Sequence, residues 1–206
     1  MIHKFPTDRI VYFSDAVFAI AITLLIIELK VPPREDILHF GTWVAIKEMI
    51  PDFVGFFVSF LVTALYWRSH LTHSHFIRNF DSKLVWLNIW LLMFVVILPF
   101  STAFYSQNFS SNGPFVFYCA NLAIIAFFSY WSIQYIVKKE GYSETLTREI
   151  AEQLKFRAIT PLFVWLLSIA IVFIDPLTSR FTFLLIFIIQ GFADWRHKKK
   201  SPLLSK

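Results

Sequence analysis

Charge is scarce in this chain: Asp, Glu, Lys and Arg make up 16% of its 206 residues, against about 25% in an ordinary soluble domain. With 57% hydrophobic residues, 25 phenylalanines and a mean hydropathy of +0.61, that shortage favours a bilayer over water as the solvent. Cysteine is scarcer still. Cys119 stands alone, which excludes an intrachain disulfide and a thiolate-rich metal site. Walker loop, nucleophile elbow and zincin helix are all absent, so the chain is not read as an enzyme. The single A-x-A pattern, Ala19 to Ala21, lies inside the first apolar run and not after it, so that run is read as a permanent helix. No internal repeat stands out, and no soluble domain is expected beyond the loop of residues 138 to 155.

What the chain does have is apolar stretches near the ~20 residues that cross a hydrocarbon core, without period-two alternation, which favours helices over a β-barrel. The reading is an all-α integral membrane protein, residues 1–206 forming one unit with helices near 9–29, 51–73, 83–106, 114–138, 156–174 and 179–195. Pro32-Pro33 stops the first helix, whereas Pro51, Pro114 and Pro176 sit at helix starts, where a missing donor costs little. Asp175-Pro176 and Asn112-Gly113-Pro114 mark tight connections. Residues 35 to 49 read as a short amphipathic helix outside the membrane, with Ile37, Leu38, Trp43 and Ile46 on its apolar side.

The formal charge of +5 raises nucleic acid as a partner, but Lys and Arg lie in short segments between apolar stretches, so none is expected. The charges fit membrane orientation better. With the N-terminus inside, 15 of the 19 basic residues fall on the cytoplasmic side, among them Lys4, Arg9, Arg68, Arg78, Lys138, Lys139, Arg157, Arg196, Lys198 to Lys200 and Lys206. Both termini are therefore expected in the cytoplasm of a multi-pass cell-membrane protein of the bacterial inner-membrane type, and an even number of spans follows.

Arg9, Ser14 and Asp15 open the first helix, and a carboxylate at the depth of Asp15 costs a few kcal/mol without a partner or water. Six residues apart, Arg9 and Asp15 lie on different helix faces, so their partners should come from other helices. Tyr66, Trp67, Arg68, His70 and Asn88 are the candidates at matching depth. The competing reading is a snorkelling arginine and a carboxylate favoured by the helix dipole. His70, His73 and His75 raise metal or haem ligation, but no carboxylate-rich or Cys-rich element supports it, and no cofactor or metal is expected. Further along the first helix, Ile20, Thr23, Leu24 and Ile27 form one i, i+3, i+4, i+7 stripe, while small Ala16 and Ala19 permit close helix approach. Such a stripe alone serves packing or lipid contact as readily as a pore.

Arg9-Ile10-Val11-Tyr12-Phe13-Ser14-Asp15 matches R-x-x-x-F-S-D and resembles the start of the pore helix in the transmembrane protein 175 potassium-channel family, especially its bacterial members with one six-helix unit per chain. The similarity continues through Ala16 to Leu25, Trp67-x-x-His70, Asn88 and Leu98-Pro99-Phe100-Ser101-Thr102. It covers the first three spans; the later ones agree by number and hydropathy only. The resemblance implies a homotetramer of identical subunits in the bilayer, whose first helices surround a central pore passing potassium ions. It places Ile20, Leu24 and Ile27 at hydrophobic constrictions and Thr23 near the narrowest point. It makes Arg9, Phe13, Ser14 and Asp15 supports tied to Trp67, His70 and Asn88. The family lacks the T-V-G-Y-G carbonyl filter, and so does this chain, whose one Gly-Tyr pair is Gly141-Tyr142 in a charged loop. The alternative is a secondary transporter or proton pathway using Asp15 and His70, although the broken helices of paired halves are missing.

Overall fold

The computed structural model describes residues 5–200, and the side chains of all of these except 194 and 196–200. Lys4 and Lys206 of the charge balance lie outside the described residues, as do the side chains of Arg196 and Lys198 to Lys200. The described helices are α1 (Thr7–Ile27), α2 (Arg34–Phe40), α3 (Thr42–Glu48), α4 (Ile50–Ser74), α5 (Ser82–Ser106), α6 (Asn112–Glu140), α7 (Arg148–Ile171), α8 (Pro176–Phe181) and α9 (Leu184–Lys200). Five of them, α1, α4, α5, α6 and α7, are long and apolar enough to cross a membrane, so the chain is a multi-pass membrane protein.

α5 and α6 form the middle of the bundle. α1 and α4 pack on α5, α7 lies on α6, and α8 and α9 pack on α7. Phe18 of α1, Val62 of α4, Val95 and Leu98 of α5, Leu122 and Ile125 of α6 and Trp165 of α7 share one buried apolar cluster. α4 approaches α5 at Gly55, where an added Cβ would lie 3.0 Å from Ser106 Cβ, so the missing side chain sets that spacing.

Three boundaries depart from the sequence reading. The amphipathic segment 35–49 is two short helices, because Gly41 between them takes φ +85°, a left-handed value that a Cβ disfavours. α7 starts at Arg148 and not near 156, so part of the expected loop is helix. Thr147 caps it, its side chain accepting the Ile150 amide at 3.3 Å, and Ala151, Leu154 and Ala158 bury a stripe against Phe80, Leu84, Ile133 and Ile136. Hydropathy alone loses that turn because Glu152, Lys155 and Arg157 share it. The last expected span, 179–195, is divided into α8 and α9, and the apolar part of α9 is only Leu184–Ala193. Thr182 ends α8 with its hydroxyl turned to Ser168 of α7 and to the Ser179 carbonyl, 2.7 Å away.

Two prolines sit inside helices, Pro99 in α5 and Pro161 in α7. Each removes an i→i−4 donor. For Pro161 the freed acceptor is the Arg157 carbonyl, and Gln190 Nε2 of α9 donates to it at 3.3 Å. A neighbouring helix thus satisfies backbone that a proline exposed, as a bilayer requires.

Candidate functional site

α1 presents two faces. Ser14, Phe18, Ala21 and Leu25, spaced i, i+4, i+7 and i+11, are buried against α4 and α5. At 100° per residue Ile20, Thr23 and Ile27 fall on the far side of the helix and Phe13 and Leu24 on the flank next to them, all exposed in the single subunit, Ile20 at 58% and Ile27 at 71%. Ala16 and Ala19, expected at a close helix contact, are exposed as well; Ala21 is the small residue that α1 buries. The Thr23 hydroxyl donates to the Ile20 carbonyl at 2.9 Å, so its only proton is engaged and its lone pairs remain available as acceptors.

The expected support residues of α1 and their partners fall into two neighbouring groups and two outliers. Ser14 Oγ donates to the Ile10 carbonyl at 2.8 Å and accepts from Asn88 Nδ2 at 2.9 Å. Asn88 Oδ1 lies 2.7 Å from His70 Nε2 and can only accept, so His70 is protonated at Nε2. The other ring nitrogen, Nδ1, is buried without a partner among the described residues. Beside this chain, Trp67 Nε1 donates to Asp15 Oδ1 at 2.9 Å. α1 is therefore fixed to α4 and α5 by side chains from three helices. Arg9 and Phe13 are exposed and join neither group within the subunit. Asp15 and His70, the pair of the transporter reading, make no ion pair or hydrogen bond with each other. No group of three or more His, Cys, Asp or Glu fit to hold a metal occurs among the described residues.

The N-terminal end of α1 is tied down a second time. Phe5 and Phe80 pair as an antiparallel bridge, with amide-to-carbonyl distances of 2.9 and 3.3 Å, and the Thr7 hydroxyl donates to the Arg78 carbonyl at 3.1 Å. The same α4–α5 linker holds Asp81, which caps α5 by accepting the Leu84 amide at 2.9 Å and the Tyr135 hydroxyl at 2.8 Å and pairs with Lys139 at 3.3 Å. Partial burial pushes the Asp81 carboxyl up, but the Leu84 amide, Tyr135 hydroxyl and Lys139 ammonium together hold it below the usual carboxylate range.

A second polar seam, deeper in the bundle, escaped the sequence reading. Ser59 Oγ lies 3.0 Å from Tyr118 OH and 2.8 Å from Thr102 Oγ1, and Asn121 Nδ2 donates to Ser101 Oγ at 3.2 Å. Tyr66 OH donates to the Leu122 carbonyl at 2.9 Å and accepts from Trp165 Nε1 at 3.1 Å. The available signal was Ser59, Thr63 and Tyr66 at i, i+4 and i+7 on an apolar helix, a polar stripe that a bilayer forces inward. The seam joins α4 to α5, α6 and α7 and touches no exposed face of α1.

The arrangement is thus a bundle with one helix clamped at its polar end and carrying an unused apolar stripe. Residues 9–99, which contain the clamp and the stripe, match the family model described as "Endosomal/lysosomal potassium channel TMEM175". Over 192 residues the chain is 26% identical to a protein of Chryseobacterium sp. (strain P1-3) named a potassium channel, covering 93% of this chain and 95% of that one. Over 101 residues it is 38% identical to a potassium channel of Streptomyces collinus (strain DSM 40733 / Tue 365), covering 49% and 48%. In fold it is similar to the crystal structure of a lysosomal potassium-selective channel TMEM175 homolog from Chamaesiphon minutus, with a TM-score of 0.78 and 24% identity over 92% of this chain and 97% of that one. The family match lies on the residues that build the clamp and the stripe, and the similarity to a named relative runs through nearly the whole length, so the chain is similar in sequence to TMEM175 channels and shares their fold.

Proposed function

We propose that the chain is one subunit of a homotetrameric potassium channel that passes ions passively through a central pore. The observation that carries this reading is the exposed stripe of α1, Ile20, Thr23, Leu24 and Ile27, opposite its buried face. Relatives named potassium channels support it. Four copies of α1 around an axis would stack Ile20, Leu24 and Ile27 into rings. Rings of branched apolar side chains close a pore by dewetting, and separation or rotation of the helices opens it. Thr23 adds a ring of hydroxyl oxygens whose lone pairs, with the proton engaged at Ile20, face a passing cation. Potassium, less tightly hydrated than sodium, loses water at such a neck with the smaller penalty.

In this reading Ser14, Asp15, Trp67, His70 and Asn88 set the position of α1 and are not ion ligands, while Arg9 and Phe13, exposed in the single subunit, are open to a neighbouring subunit. α8 and α9 together make the sixth crossing of one membrane unit. The ten apolar residues of α9, Leu184–Ala193, reach about 15 Å at 1.5 Å per residue and the six of α8 add about 9 Å, and an even number of crossings puts both termini on the cytoplasmic side of the cell membrane.

Planar-bilayer recording of the purified protein under bi-ionic conditions tests the proposal. The reversal potential should follow the potassium gradient with no coupled proton movement, and Ile20→Asn or Leu24→Ala should give leaky or less selective currents. Unchanged conductance and selectivity in both variants would remove these residues from the pore.

A further inference from the structure

A cavity of about 90 Å³ opens between α4, α7 and α9, in the half of the bundle where α1 begins. It is built in two parts. Val62 and Ile186 belong to an apolar floor, while Arg68 and Thr72 of α4, Arg157 of α7 and Gln190 of α9 give it a polar, basic wall. Among the described residues that line it there is no Asp or Glu.

Arg68 is the informative residue. It lies six residues before the end of α4, about 9 Å along the axis from Ser74. Among the described residues its guanidinium has neither an ion pair nor a hydrogen bond; only its backbone carbonyl is engaged, by the Thr72 hydroxyl at 2.9 Å. A charge at that depth in a membrane helix calls for a partner. Arginine offers five donors in a planar fork that suits a phosphate. Beyond the cavity the surface stays apolar, with Leu61, Phe187 and Ile188 exposed, so a ligand whose charge sits at Arg68 finds hydrocarbon-compatible surface next to it. A basic pocket between membrane helices with apolar flanks suits an anionic headgroup on acyl chains.

We propose that this cleft binds a phosphate group, carried by an anionic phospholipid of the leaflet on the side where α1 begins, with Arg68 as its principal donor and the apolar floor receiving the start of the chains. The proposal requires only that the helices sit in a bilayer, and it stands or falls independently of ion permeation.

Native mass spectrometry of the purified full-length protein in neutral detergent, titrated with dioleoylphosphatidylglycerol, dioleoylphosphatidylcholine or inorganic phosphate, tests it. One basic side chain near an anionic surface corresponds to about a fivefold change in affinity. Phosphatidylglycerol should bind the wild type and Arg68→Lys at least about fivefold more tightly than Arg68→Gln, and phosphatidylcholine should show no dependence on residue 68. Equal binding of phosphatidylglycerol by wild type and Arg68→Gln would overturn the site. Inorganic phosphate binding as tightly as phosphatidylglycerol would overturn the lipid as the source. If Arg68→Gln does not fold, the wild-type comparison decides, and equal affinity for the anionic and zwitterionic lipids refutes the proposal.

Discussion

Replacing Asn88 with Leu probes the clamp on α1 with little change in volume. Asn88 accepts from His70 Nε2 at 2.7 Å and donates to Ser14 Oγ at 2.9 Å, and it is 5% exposed. Leucine removes both bonds and leaves the His70 N–H buried without an acceptor, whereas Ser14 keeps its bond to Ile10. Side-chain hydrogen bonds inside membrane proteins average about 0.6 kcal/mol and reach about 1.7, so two of them plus an orphaned donor come to about 2 kcal/mol. For a chain of this length that lowers Tm by about 4–8 °C. Thermal unfolding in mild detergent, followed through the seven tryptophans, reads the shift. A double-mutant cycle with Ser14→Ala isolates the contact and should give a coupling of at least about 0.5 kcal/mol. A shift under about 1 °C, or strict additivity with Ser14→Ala, would show that Asn88 does not hold α1.

Three further outcomes follow from the geometry. Asp15→Ala removes the acceptor of Trp67 Nε1 and should lower the assembled fraction seen by size exclusion with light scattering; a well-assembled variant with altered permeation alone would instead give Asp15 a direct role with the ion. Tyr66→Phe strips the Leu122 bond and orphans the Trp165 N–H, which should cost about 1–2 kcal/mol; a Tm equal to wild type would mean the seam adds no stability. Asp81 has its carboxyl held below the usual range in the folded state, so its contribution is complete above the unfolded value near ~3.9 and disappears as pH falls through the folded value. Asp81→Asn should therefore be less stable at neutral pH and lose less on acidification below about pH 4, and an acid limb identical to wild type would refute the assignment.

The five long helices were legible because a bilayer demands unbroken apolar runs, a demand that composition alone expresses. What stayed hidden depends on single residues whose effect is tertiary. Gly41 splits an amphipathic segment through one backbone angle, and Thr147 extends α7 through charges that a hydropathy reading takes for loop. The last span is divided because Thr182 turns to Ser168 on another helix, a contact without a local sequence signature. In the clamp, the depth argument brought Asp15, Trp67, His70 and Asn88 to the right neighbourhood, but the pairing of Asp15 with Trp67 and of Asn88 with Ser14 needed coordinates. Periodicity separated the two faces of α1; small Ala16 and Ala19, read as permitting close helix approach, are exposed in the single subunit, where Ala21 is the small residue that is buried.

The distribution of bonds along α1 explains how one helix can be held firmly and still offer a free face. Its polar fixings all lie in the first half: the Phe5–Phe80 bridge, Thr7 on the Arg78 carbonyl, Ser14 on Asn88 and Asp15 on Trp67. Directional bonds fix rotation about the helix axis as well as position, because each requires its side chain at one azimuth. Beyond Asp15 the helix is held by Phe18, Ala21 and Leu25, whose packing is close but non-directional, and past its end by the exposed Lys30–Gln107 bond at 2.9 Å. An azimuth fixed at Ser14 carries along a stiff helix, so the clamp determines where Ile20, Leu24 and Ile27 point without touching them. A pore built from four such helices would then have its register set at the polar end and its width set at the apolar end, where the restraint is weakest.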